Sequence, residues 1–290
     1  MRRACIDIGS NTTRLLVADC VGGGLVEIHQ DREFTHVGRG RGQDGTIDEG
    51  RIRHVAEVVD RQLREARSLG AREVRVVATA AIRSATNARV LIDAVREASG
   101  AEVEIISDEE EARLAFVGVA RTLDHRPSGP LGVADVGGGS SELVVGHAPD
   151  EITWWASLAM GSGELAERCL PSDPPTDREL AEARRVVAGV LEGVEVPHPT
   201  EAAAVGGSAA SLAKLAGPLL DGPTLSGSLR LLASHPAREI AERFGLEVQR
   251  VRLLPAGLLI LQAAFEHFGQ PLRLGRGGVR EGLLLEGVDG

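Results

Sequence analysis

Two short runs of this sequence pair a carboxylate with glycine and small polar residues in a pattern that suits phosphoryl chemistry. They are Asp7-Ile8-Gly9-Ser10-Asn11-Thr12 and Asp135-Val136-Gly137-Gly138-Gly139-Ser140-Ser141-Glu142. In each, an Asp closes an apolar stretch and glycine permits close backbone approach. Consecutive N–H groups in such a turn form a concave anion site. The leading Asp is placed to hold a cation, directly or through water. A carboxylate beside an N–H cradle is how phosphoryl chemistry neutralises developing charge. Neither run is a dinucleotide fingerprint, which opens a helix after Gly-x-Gly-x-x-Gly; here Leu15, Leu16 and Val17, and likewise Leu143, Val144 and Val145, continue as strand. No Walker sequence is present. One glycine turn alone is also the mark of a tight hairpin; two Asp-led copies argue for a site.

Three further segments carry polar groups at suggestive places. Arg83, within Ala78-Thr79-Ala80-Ala81-Ile82-Arg83, falls just past a short apolar strand, where α/β sites lie, and its guanidinium suits a phosphate. Ser107-Asp108-Glu109-Glu110-Glu111 opens a helix, and its acids complement the helix dipole. Ser107 with Glu110 matches a capping box, which leaves Glu111 on another side of the helix, free to orient or deprotonate a water. The alternative register, Asp108 with Glu111, fits the same pattern. Gly206-Gly207-Ser208 leads into a helix whose N-terminus, with Ser208 as its cap, is a further anion site. The eight histidines show no metal-ligand spacing. Trp154 and Trp155 read as packing residues, and Arg39-Gly40-Arg41-Gly42 as a loop.

The elements that must hold these residues alternate between strand and helix periods. Strands are predicted over residues 4–8, 13–19, 74–79, 103–106, 131–135, 141–146 and 202–205. Helices are predicted over 47–68, from a cap at Asn87, over 108–121, 176–191, 255–268 and 279–286. The run Asp124-His125-Arg126-Pro127-Ser128-Gly129-Pro130 reads as a linker. The theme of strand, glycine turn, strand, then helix and strand occurs on both sides of it. The sequence therefore predicts two related α/β domains, 1–124 and 125–290, with the site in the cleft between them.

Composition narrows the function classes. With 32 basic and 42 acidic residues the net charge is −10, which disfavours non-specific nucleic-acid binding. Tyrosine is absent and aromatics are 2% of residues, so base stacking is a poor prospect. Lys214 is the only lysine, so an anion site must rest on arginine, backbone N–H groups and metal. Cys5, Cys20 and Cys169 are too few and scattered for a disulfide framework or zinc site. No apolar run reaches the ~18–20 residues of a membrane helix, and the polar start is unlike a signal peptide. A cytoplasmic protein with neither membrane nor nucleic-acid partner is expected.

Assembled in order, these segments resemble the Ppx/GppA family of exopolyphosphatases and guanosine pentaphosphate phosphohydrolases. The resemblance runs almost end to end, through residues 7–11, 78–87, 110–119, 135–143, 157–165, 206–208 and 278–285. It implies the actin-like ATPase/sugar-kinase (ribonuclease H-like) fold and Mg²⁺-dependent release of orthophosphate from a phosphoanhydride end, with Mn²⁺ as an alternative ion. By the same resemblance Glu111 positions water, with Glu110 as the other candidate. Asp135 and Glu142 match acidic positions near the metal, and Ser10, Asn11, Arg83, Gly138, Gly139 and Ser140 match phosphate-binding positions. The turns and the helix start themselves add Asp7 as a metal candidate and Gly137, Gly207 and Ser208 as phosphate-binding candidates. The implied substrate is inorganic polyphosphate; guanosine pentaphosphate (pppGpp) is the alternative, with a kinase-like ATPase and a non-catalytic alarmone sensor as further readings. A homodimer is implied. Longer members carry a helical C-terminal region, so short chains are the expected substrate. Arg252 stands where many members have an acid, and Ala80-Ala81 replaces a more usual Ser-Ala.

Overall fold

In the computed structural model, which describes residues 1–40 and 44–288, the chain forms two mixed sheets flanked by helices. The first half contains β1 (Arg2–Ile8), β2 (Thr12–Val21), β3 (Gly24–Phe34), α1 (Glu49–Ser68), β4 (Glu73–Ala78), α2 (Ala80–Arg83), α3 (Ala88–Ser99), β5 (Val103–Ile105) and α4 (Asp108–Ala120). The second contains β6 (Leu131–Val136), β7 (Ser141–His147), β8 (Glu151–Leu158), α5 (Ser162–Cys169), α6 (Asp177–Leu191), β9 (Glu201–Val205), α7 (Gly206–Ala216), β10 (Leu219–Leu220), α8 (Gly222–Ser234), α9 (Ala237–Phe244), α10 (Val248–Phe268), β11 (Leu272–Leu274) and α11 (Val279–Leu285).

The sheets share one topology. The first runs β3-β2-β1-β4-β5 and the second β8-β7-β6-β9-β11-β10. In each, the first three strands form an antiparallel meander and the next two join in parallel, and in the second sheet β10 adds antiparallel to β11 at the edge. That repeat is the duplicated ribonuclease H-like unit of the actin-like ATPase fold. Its central strands are buried on both faces. Ala4, Ile6 and Ile8 face the α1/α3 layer while Cys5 faces the opposite one, as the two-residue period of a strand requires.

Two helices cross between the sheets. On α4, Ala112, Phe116 and Val119 pack on β6, β7 and β9 of the second sheet, whereas Leu283 and Leu284 of α11 pack on β1 and β2 of the first. Their backbones touch: a Cβ on Gly118 would run into Gly278, and one on Gly282 would run into Leu114. Each half of the chain thus completes the other's core.

Several local expectations are revised. The helix predicted over 255–268 begins at Val248 and carries Pro255 in its interior. Proline fits a first helical turn, so the sequence suggested a start there, but burial of Leu254, Ala256 and Leu258 holds the helix through it. Among the described residues this is the one helix long and apolar enough to cross a membrane; 67% of its most apolar 18 residues is buried in the fold. Asn87 sits at the cap of α3 without donating its side chain to that role; it bridges the N–H and C=O of Ile47 instead. The α6 capping box of Thr176 and Glu179 is present. Trp154 packs against the core and Trp155 is 38% exposed. All three cysteines are free and buried. Arg41 and Gly42 lie outside the described residues.

Candidate active site

Each predicted turn lies at the C-terminal end of the first strand of its sheet and closes with the same bond. Gly9 N–H donates to Thr12 O at 3.0 Å, and Gly137 N–H donates to Ser140 O at 3.1 Å. Neighbouring backbone then takes up the turn carbonyls. Thr35 and His36 N–H groups donate to Asn11 O, both at 3.1 Å, and Gly38 N–H to Ser10 O at 2.8 Å. In the second lobe Ser162 N–H donates to Gly137 O at 2.9 Å and Gly163 N–H to Gly138 O at 3.0 Å. Among the described residues, no hydrogen bond engages the N–H groups of Ser10, Asn11, Gly138, Gly139 or Ser140. Carbonyls are anchored outward while donors are left for an anion, the inverse of what a merely structural hairpin needs.

The turns face each other. A Cβ on Gly138 would lie 2.6 Å from Asn11 Nδ2, and one on Gly139 would strike Ser10 Oγ. Ser10, Asn11, Gly138, Gly139 and Ser140 line two cavities, of about 620 and 970 Å³, on either side of this pinch. The smaller also holds Asp7, Asp135, Glu111, Glu142 and Gly207; the larger holds Arg83.

The acids are held by equivalent strand positions. Asp7 opposes Arg14 across the first hairpin, and Asp135 opposes Glu142 across the second. Asp7 Oδ1 is buried without a hydrogen-bond partner. Burial raises the Asp7 pKa, with Arg14 opposing. Burial likewise raises Asp135 to about 6, again against Arg14. Glu142 is 1% exposed; burial first, then Glu111 and Asp135, push it well above the carboxylate range, although Ser157 Oγ donates to it at 3.1 Å. Among the described residues no group of three or more His, Cys, Asp or Glu is arranged to hold a metal by itself. An orphaned carboxylate oxygen between two lobes fits Mg²⁺ all the same, because that ion is held by one or two carboxylates plus substrate phosphates.

Glu111 lies in the first turn of α4, 7% exposed. Ser107 is the N-cap and its Oγ accepts from Glu110 N–H at 3.1 Å, which settles the register. Only half of a capping box forms, since Glu110 turns its carboxylate to Arg113 at 2.6 and 2.8 Å. Glu110 is therefore outside the cleft. Arg83 Nη1 donates to Ile106 O at 2.7 Å and to Glu111 Oε2 at 3.1 Å, and its Nη2 pairs with Asp108. Burial raises the Glu111 pKa to about 8, against the opposing charge of Arg83.

Ser208 departs from expectation. The helix starts at Gly206 with Val205 as cap residue, so Ser208 is in the first turn. Its Oγ is buried and unpartnered, against the position a Cβ on Gly257 would take. Only Gly207 of that pair reaches the cleft. Sequence reading also passed over Arg14, Arg250, Arg280, Glu281 and Gly161. Glu281 faces the two aspartates, and its Oε2 accepts from Gly278 N–H at 2.8 Å. The signal for Arg14 was its seven-residue offset from Asp7, the one that separates Glu142 from Asp135.

Asp7, Glu111, Asp135 and Glu142 all have raised pKa values, and this has a thermodynamic consequence. A carboxyl whose folded pKa is raised binds its proton more tightly when folded, so it stabilises below its unfolded value and that stability is lost as pH climbs through the folded value. For Asp135 the window runs from 3.8 to about 6; for Glu142 it starts at 4.5 and extends further up. Urea unfolding without metal should show stability falling between pH 5 and 8, by about 1.4 kcal/mol per pH unit for each carboxyl still protonated. Glu142→Gln should flatten that slope; an unchanged slope contradicts the assignment.

A cleft between two ribonuclease H-like lobes, lined by paired N–H turns and buried acids, places the chain among proteins of the actin-like ATPase fold. The chain belongs to the Ppx/GppA phosphatase family, whose model matches residues 16–289. It is 30% identical over 307 aligned residues to exopolyphosphatase 1 of Mycobacterium tuberculosis, covering 100% of this chain and 89% of that one. It is 35% identical over 212 residues to exopolyphosphatase 2 of the same organism, covering 70% of this chain and 65% of the relative. The crystal structure of the Aquifex aeolicus Ppx/GppA member superposes with a TM-score of 0.82 at 30% identity, over 98% of this chain and 96% of that one. An exopolyphosphatase structure from Cytophaga hutchinsonii shares the fold, with a TM-score of 0.88 at 23% identity over 100% and 99% of the two chains.

Proposed function

We propose that this protein is an exopolyphosphatase that hydrolyses the terminal phosphoanhydride bond of inorganic polyphosphate and releases orthophosphate. The observation that carries the reading is the pair of turns that offer unpaired N–H groups to one point, with the buried Glu111 carboxylate lining the same cavity. The full-length likeness to mycobacterial exopolyphosphatases supports the substrate class. No aromatic side chain lines the cavity that holds the acids, which favours a phosphate chain over a purine nucleotide.

In this reading the terminal phosphoryl group sits between Ser10-Asn11 and Gly138-Gly139-Ser140. Arg83 leaves Glu111 to bind its oxygens. Glu111, raised in pKa and released from that ion pair, accepts a proton from the attacking water. A general base works best when its pKa lies near the working pH. Asp7 and Asp135 would hold Mg²⁺ or Mn²⁺, with Glu142 behind Asp135. When bound, such an ion supplies charge neutralisation on phosphoryl oxygens.

The test is orthophosphate release with and without Mg²⁺ from short polyphosphate, long polyphosphate, pppGpp and ATP. Release from polyphosphate that depends on Mg²⁺ is expected. Release confined to pppGpp would move the substrate to the alarmone, and tight pppGpp binding without any release would leave a sensor. The homodimer expected of the family is checked separately by sedimentation equilibrium.

A further inference from the structure

The paired turns are open on two sides. Ser10, Asn11, Gly138, Gly139 and Ser140 line both cavities. Asp7, Glu111, Asp135 and Glu142 line only the smaller one, and Arg83 lines only the larger one. A phosphate held between the turns therefore has acids on one side and a guanidinium on the other. A metal ion in phosphoryl transfer bridges oxygens of the transferred group and of the leaving group. In the exopolyphosphatase reading the carboxylates that would hold it, Asp7 and Asp135, lie in the smaller cavity, so the rest of the chain lies on that side too. In-line displacement carries phosphorus away from the leaving oxygen and toward the attacking one. The new orthophosphate thus moves toward the larger cavity, with the shortened chain behind it.

The larger cavity reaches the surface by itself. Ser84 at the end of α2, Gly40 ahead of α1 and Ala159 just after β8 are exposed residues of its wall, contributed by both lobes. Two bonds join the lobes along that wall. Gly40 N–H donates to Glu167 Oε1 at 3.1 Å, and His36 Nε2 pairs with Gln249 Oε1 at 3.1 Å. The cavity keeps about 970 Å³ with both bonds in place, so an anion can pass while the lobes stay together. Arg83 stands at its inner end: Nη1 donates to Glu111 Oε2 at 3.1 Å, and Nη2 pairs with the exposed Asp108. Arg39 and Arg252 add guanidiniums to the wall, and Asp108, Glu164 and Glu167 add carboxylates. Mixed charge of this kind lets an anion through without trapping it. We propose that the larger cavity is the exit for orthophosphate, which leaves on the side of the turns opposite the chain, before the chain has dissociated. The identity of the chain rests on the exopolyphosphatase reading; the separation of the two routes rests on the cavities.

Product inhibition tests the separation. Initial rates are measured on long polyphosphate with Mg²⁺ at several concentrations of added orthophosphate. Orthophosphate should lower kcat, and excess polyphosphate should not relieve the inhibition, because the two occupy different cavities. Two variants narrow the exit from opposite lobes at exposed positions outside the turns and the acids: Ser84→Trp and Ala159→Trp. Release of product limits many enzymes, so each variant should lower steady-state kcat about tenfold while the first turnover, followed by rapid quench, stays within about twofold. KM should not rise. The normal first turnover also shows that each variant is folded. Inhibition fully relieved by excess polyphosphate means one shared route and overturns the exit. An unchanged steady-state kcat in both variants overturns it as well, and so does a first turnover as slow as the later ones. If pppGpp alone is hydrolysed and orthophosphate still inhibits at saturating pppGpp, the exit stands and the polyphosphate reading fails. Polyphosphate hydrolysis with fully relieved inhibition keeps that reading and sinks the exit, and no hydrolysis of either substrate removes both.

Discussion

Glu111→Gln is expected to lower kcat by about 10²–10⁴-fold while leaving the fold intact. Among the candidate site residues, Glu111 alone is a carboxylate that lines the acid-bearing cavity, is bound to the cleft arginine and has its pKa raised chiefly by burial. Gln keeps the volume and can still accept from Arg83, so packing around α4 should survive. It also removes a buried charge, so Tm should stay level or rise. Glu110→Gln is the internal control. Its carboxylate is engaged by Arg113 and lines neither cavity, and a change within about threefold is expected. A large loss in Glu110→Gln with little in Glu111→Gln would reverse the assignment.

The second large effect is expected at a residue that touches no substrate. Gly161 lies just before α5, and a Cβ on it would collide with the Gly138–Gly139 peptide itself. Backbone cannot swing aside as a side-chain tip can, so Gly161→Ala must displace the turn or α5. Five bonds tie this segment to the turn and its strand: Ser162 N–H and Oγ to Gly137 O, Gly163 and Glu164 N–H to Gly138 O, and Ser141 Oγ to Met160 O. The turn is thus the element that has to give way. A displacement near 1 Å can cost ~10²-fold, so kcat/KM should fall by roughly that factor. Near-normal activity in Gly161→Ala would mean that the turn does not position the reacting phosphate.

What the sequence revealed follows from range. The two turns were legible because their chemistry is local: an Asp, a glycine and small residues within six positions. Strand duplication was legible because β1, β2, β6 and β7 are strongly apolar runs. The edge strand β3 was missed because Glu27, His29, Asp31 and Glu33 leave it with no apolar alternation. Residues whose meaning depends on distant partners were the least legible. Arg250 sits in a stretch that reads as the approach to an apolar helix, and only the fold brings it to Arg14. Ser208 misled in the opposite direction. Its place after two glycines suggests a cap, but the positive φ of Gly206, 89°, starts the helix earlier and turns the serine into the core. Capping logic placed Ser107 at the N-cap, but the Glu110 carboxylate is occupied by Arg113 and not by the cap.

The account stands most directly on where water enters. A polyphosphate of defined length should be hydrolysed with Mg²⁺ in ¹⁸O-labelled water, and the products resolved by chain length and isotope. The expected first products are orthophosphate and a chain one unit shorter, with ¹⁸O carried by the orthophosphate and neither product formed by Glu111→Gln. Mid-length fragments at early times, label confined to the shortened chain, or undiminished release by Glu111→Gln would contradict it.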